Sequence, residues 1–154
     1  DRIFVANMYY YKNFTVFKKQ DFGGGFEGAF DTRAEAADHL REMNADQFDI
    51  VETAHHICAL INVESKTVTP IEMLMSSTKL PVSDRWNTNI IGKIKDHGGD
   101  RFSTVWQISH VMQTKNNNTW ANFKIDFAGF TPADLHAACA EAYENVAAKQ
   151  NKAA

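Results

Sequence analysis

The stretch Ser77-Thr78-Lys79-Leu80-Pro81-Val82-Ser83-Asp84-Arg85-Trp86-Asn87 decides how the rest of the chain is read. It follows a strand-like run, Thr69 to Met75, whose Ile71, Met73 and Met75 share one parity. After Pro81, Ser83 can cap a helix reaching about Ile94, with Asp84 at its positive end. Trp86, Ile90 and Ile94 recur four apart and would press on a core. His97-Gly98-Gly99-Asp100 ends the helix, and two long strands follow, Phe102 to Gln113 and Trp120 to Phe127, joined at Asn116-Asn117-Asn118.

Upstream, Ile3 to Lys18 is rich in β-branched and aromatic residues, with Ile3, Val5, Tyr9, Tyr11, Thr15 and Phe17 on one parity. Gly23-Gly24-Gly25 lacks the Gly-Lys-Ser/Thr of a phosphate loop and reads as a plain loop. Thr32 with Glu35 three residues later forms a capping box that opens a short amphipathic helix on Ala36, Ala37, Leu40 and Met43. Ile50 to Val63 alternates as a strand, and Glu64-Ser65-Lys66 turns it into the next. Thr131-Pro132-Ala133-Asp134 opens a C-terminal helix with its apolar stripe on Leu135, Cys139, Ala142 and Val146.

Three strands, a helix and two strands give an α+β, β-rich protein. The order suits an OB-fold-like antiparallel barrel with a short helix between strands three and four, an inserted helix and a C-terminal helix. A plain antiparallel sheet with packed helices absorbs the same elements. A faint echo between the Asp1-Arg2 and Asp100-Arg101 halves, each ending in a capped helix, would suit a duplicated sheet. One domain over residues 1–148 is expected, with a polar, disordered tail over 149–154 and a further N-terminal segment before Asp1.

A net charge of −3 excludes a uniformly basic nucleic-acid binder, so any polyanion site must be local. Cys58 and Cys139 lie far apart, as buried thiols of a reduced compartment do. No run approaches the roughly 18 apolar residues of a membrane span, which points to the host cytoplasm once the resemblance below is considered. The histidines fall in no ligand spacing: His55 and His56 are adjacent, and His39, His97, His110 and His136 sit on separate elements. No metal, no cofactor and no catalytic residue are expected, because hydrolase and phosphate-loop signatures are absent.

Binding of single strands needs aromatic platforms and cations that track phosphates. The candidates are Tyr9, Tyr11 and Lys12 on the first strand, Lys79, Arg85, Trp86, Lys93 and Lys95 around the central helix, and Arg101, Trp120 and Lys124 beyond it. Trp86 and Trp106 share faces with apolar neighbours and suit a core as well. Trp120 has the polar parity partners Asn122, Lys124 and Asp126, and is therefore expected to face outward.

The segment from Ser77 to Asn87, Arg101-Phe102 entering a strand, Asn118-Thr119-Trp120-Ala121-Asn122-Phe123 and Gly129-Phe130-Thr131 resemble a family of small proteins encoded by tailed bacteriophages. The likeness runs from about Phe14 to Tyr143 and includes Glu52-Thr53-Ala54-His55-His56. It implies a place in phage replication and recombination modules, among single-stranded DNA-binding proteins, with phage or host replication proteins as partners and room for a homo-oligomer. Pro81 and Asp84 stand where the family pattern has basic residues, which lowers the charge of that segment.

Two other readings compete. A host-protein inhibitor would use the acidic set Asp31, Glu35, Asp38, Glu42, Asp46 and Asp49. A metal-dependent nuclease would need Glu52, Glu72, Asp100 and Asp126 to converge.

Overall fold

A computed structural model describes residues 1–153, with side chains through Gln150. Across them, three antiparallel hairpins alternate with three α-helices: β1 (Ile3–Lys18), β2 (Phe26–Phe30), α1 (Arg33–Leu40), β3 (Phe48–Asn62), β4 (Thr67–Ser76), α2 (Leu80–His97), β5 (Thr104–Lys115), β6 (Asn118–Phe130) and α3 (Ala133–Ala153). The six-stranded sheet runs β4-β3-β1-β5-β6, with β2 also on β1. The fold is therefore α+β. The barrel closure expected from the element order is absent, since β4 and β6 form opposite edges and do not pair. Among the described residues no helix is long and apolar enough to cross a membrane.

Local sequence explains most of the elements. Thr32 accepts from the Glu35 N–H at 3.1 Å while Glu35 Oε2 accepts from the Asp31 N–H, and these contacts nucleate α1. Only Ala36 and Leu40 of that helix are buried; Ala37 and Met43 are not. The hairpin turn at Asn116 and Asn117 takes positive φ at both positions, which asparagine tolerates and which matches the twist of the flanking strands. The helix after the central strands starts earlier than expected, at Leu80, with Pro81 in its first turn and Ser83 buried inside it. The expected tail is taken into α3 as far as Ala153; position 154 lies outside the described residues.

A bulge between Asn7 and Tyr9 divides the sheet's two cores. One extra residue reverses the alternation of β1, so Val5 and Tyr10 face α2 while Ala6, Met8 and Tyr9 face α3. On the first face Trp86 and Ile90 of α2 seal Ala54, Cys58, Met75 and Trp106. On the other, Leu135, Cys139 and Val146 of α3 cover Ala59, Ile61 and Phe102. Val16, Phe48, Ala36 and Leu40 form a third cluster under α1. Burial raises both thiols, Cys58 to about 12 and Cys139 to about 11, so neither is a ready nucleophile at neutral pH.

Candidate functional site: the seam between α2 and β6

β6 is an edge strand, and α2 lies along it. Three phenyl rings of β6 each meet a nitrogen-bearing group from the helix or the turn before it. Lys79 Nζ sits 5.9 Å from the Phe123 ring centroid, Lys93 Nζ sits 4.3 Å from Phe127, and His97 stacks on Phe130 at 3.6 Å. Phe127 and Phe130 are brought together, 5.3 Å apart, because Ala128 is skipped where the β5–β6 register shifts and Gly129 takes a φ of +125°. Both rings stay 37% exposed, enough for one edge to meet a flat ligand.

Arg85 and Lys124 line a cleft of about 240 Å³ with Val82, Asn89, Gln113 and Phe123. Asn89 and Ile125 continue it into a second cleft, of about 620 Å³, beside Lys93 and Phe127. Four cations thus follow one seam: Lys79, Arg85, Lys93 and Lys124. Asp96 and Asp126 lie in the second cleft, and Asp126 pairs with Lys124 at 3.7 Å. At such exposure that pair is weak and opens to a competing phosphate.

Trp120 stands at the upper end of the seam, half-buried rather than open, with its Nε1 donating to Gln113 Oε1 at 3.1 Å. Asn122, expected outside, is 2% exposed; its Nδ2 donates to the Thr78 carbonyl and to Gln113. Lys79 closes the same corner through a bond from Nζ to the Ala121 carbonyl. The hairpin tip is therefore clamped to the start of α2.

The other candidates do not join the seam. Trp86 is 1% exposed and belongs to the core. Lys95 lies nine residues beyond Trp86, about two and a half turns, on the solvent side of α2. Tyr9 and Tyr11 are carried to the α3 face by the β1 bulge, where Tyr11 stacks on His55 at 4.4 Å. Lys12 is bound to Glu52 at 2.7 Å, an interaction that raises its pKa.

Arg101 is turned inward, at the head of a buried hydrogen-bond chain. Its Nε donates to Asn7 Oδ1 at 2.8 Å and its Nη2 to Asn87 Oδ1. Asn7 Nδ2 then donates to His56 Nδ1 at 2.8 Å, and His56 Nε2 meets Ser83 Oγ at 2.7 Å. The distances imitate a Ser-His-Asn relay, but the directions do not. With Asn7 Oδ1 held by Arg101, its amide faces His56, so the imidazole proton must be on Nε2 and points at Ser83. His56 cannot take a proton from that hydroxyl, and both residues are at most 1% exposed. Burial, helped by the charge of Arg101, lowers the His56 pKa to about 3.

The carboxylates considered for a metal remain apart: Glu52 is on Lys12, Glu72 on His55, Asp126 on Lys124, and Asp100 caps the 3₁₀ turn Arg101–Ser103. Among the described residues no group of three or more His, Cys, Asp or Glu side chains could hold a metal ion.

The family model of the Pam3 phage gp34-like proteins matches residues 1–152. The chain belongs to that family. The match extends the phage resemblance read from residues 14–143 to both termini of the described sheet, and takes in β1, the whole β5–β6 hairpin and α3. No curated protein and no solved structure matches the chain. In this Pam3 gp34-like chain the residues that sequence reasoning passed over are Phe127 and Phe130. Strand alternation assigned Phe127 to the core, and the only hint of the bulge that exposes both rings was Gly129 inside a strand.

Proposed function

We propose that the protein binds single-stranded DNA along the seam between α2 and β6, without catalysis, in phage DNA replication or recombination in the host cytoplasm. The observation that carries the reading is the row of half-open phenyl rings on an edge strand, each beside a lysine or histidine, with Arg85 and Lys124 flanking it. Rings stack on bases of any sequence and cations follow the backbone, which is the chemistry that a nonspecific single-strand binder requires. Anisotropy of a labelled oligo-dT strand tests it. Binding at low salt that weakens with Lys93→Ala and Phe127→Ala, and is left intact by Lys95→Ala on the outer side of α2, is the expected result. Absence of binding, or equal losses for all three variants, would reject it.

A second reading rests on the opposite end of the sheet. Phe17, Phe22 and Phe26 are 40%, 46% and 67% exposed there, close to the acidic α1. An apolar knob ringed by carboxylates fits a basic host protein. Loss of a stoichiometric host partner on Phe26→Ser, together with no affinity for oligo-dT, would favour it.

A further inference from the structure

On its edge away from β3, β1 is paired by β5 only over Ile3–Val5 and by β2 only over Phe14–Phe17. The 3₁₀ turn and α3 close part of the gap. What remains is a cavity of about 500 Å³, in the range of small-molecule sites, walled by Met8, Tyr9, Tyr10, Arg101, Phe102 and Tyr143.

We propose that this cavity binds a small aromatic carboxylate, with the anion on the free edge of the Arg101 guanidinium and the ring against Phe102 and Tyr143. A guanidinium has five N–H donors, and Asn7 and Asn87 take one each. Among the described residues no carboxylate pairs with Arg101; its nearest electron-rich neighbour is the Tyr10 ring, 5.6 Å from the guanidinium carbon. The unused donors are not sealed, since Trp86 Nε1 is the one enclosed side-chain polar atom without a partner among the described residues. A half-buried cation without a counter-ion is costly, and an arriving anion offsets that cost. Phe102 lies 5.4 Å from the Tyr143 ring and 5.1 Å from His136, so the wall offered to the rest of the ligand is aromatic. Asp100 and Glu144 also border the cavity. Asp100 is held by the Ser103 backbone and Glu144 is exposed at the rim. Their charges oppose a dianion more than a monoanion, which selects a carboxylate over a phosphate monoester.

Titration of the full chain, followed by amide ¹⁵N–¹H spectra, tests the assignment with benzoate, phenyl phosphate and benzyl alcohol as probes. Benzoate should move the Tyr9, Tyr10, Phe102 and Tyr143 amides saturably, phenyl phosphate should bind more weakly, and benzyl alcohol should not saturate. Tyr143→Ala should weaken benzoate by about tenfold while leaving oligo-dT binding unchanged, and Glu144→Lys should bring phenyl phosphate level with benzoate. Shifts that do not saturate, that map to the α2–β6 seam, or that survive Tyr143→Ala would overturn the proposal.

Discussion

Arg101 Nε donates to Asn7 Oδ1 at 2.8 Å, and this contact orients the whole buried chain behind it. Arginine is never an acceptor and stays charged, so the asparagine oxygen must face it and the amide must face His56. The tautomer of His56 and the role of Ser83 follow from a residue 94 positions away from Asn7. Replacing either end alone leaves buried polar groups unmatched.

Acid should destabilise the protein through His56. Its folded pKa of about 3 lies below the ordinary 6.5, so the unfolded chain takes up the proton first. The stability that goes with the neutral ring is complete above 6.5 and declines as pH falls from there towards 3. The loss reaches about 2 kcal/mol at pH 5. Urea unfolding at pH 7 and pH 5 should show a steeper fall for the parent chain than for His56→Gln, whose amide can replace both contacts. Parallel falls would remove His56 as the cause.

Asn7→Asp should reverse the chain. A carboxylate still accepts from Arg101 but no longer donates to His56, which favours the Nδ1–H tautomer and frees Nε2 to accept from Ser83. The nearby negative charge also favours the imidazolium, so acid sensitivity between pH 6.5 and 5 should shrink. Long-range ¹H–¹⁵N spectra of the imidazole report the tautomer directly, and an unchanged Nε2–H form would contradict the argument.

The two core tryptophans, 6.5 Å apart and both nearly sealed, should differ in their tolerance of phenylalanine. Trp86 Nε1 is buried without a partner, whereas Trp106 Nε1 donates to Thr104 Oγ1 at 2.8 Å. Trp86→Phe loses packing but also removes an unsatisfied donor; Trp106→Phe loses packing and a bond. The second should cost more by about 1–2 kcal/mol, read from chemical denaturation midpoints. Equal costs would mean that the Trp86 donor has found water.

Where structure is set by near neighbours, the sequence was readable: the Thr32–Glu35 cap, the Asn116-Asn117 turn and the two hairpins that follow β2 each declare themselves within a few residues. Features set by distant partners were hidden. β2 is five residues long after three glycines and exists as a strand because β1 lies beside it. The β1 bulge transfers Tyr9 and Tyr11 to the face opposite α2, and nothing in the alternation of β1 announces it. Closure of the sheet depends on whether β4 meets β6, a pairing that no local pattern encodes. At the site, the cations Lys79, Arg85, Lys93 and Lys124 were legible from helix and strand spacing. Arg101 was lost to Asn7 and Asn87, whose need for its donors appears only in three dimensions.

If the seam follows a phosphate backbone, its salt dependence should count its cations. Each phosphate neutralised on a single strand contributes a slope of about −0.7 to log K against log salt, so four contacts give about −3. Arg85→Ala removes one contact and should flatten the slope by about 0.7, with a similar proportional loss on every base composition. Phe127→Ala removes a stacking surface, and should cost about 1–3 kcal/mol with no change of slope. Lys93 combines both roles, since its ammonium lies 4.3 Å from that ring, so Lys93→Ala should change slope and intercept together. A slope near zero in the parent chain, or a Phe127→Ala effect that appears only in the slope, would mean that these rings and cations do not act on one ligand.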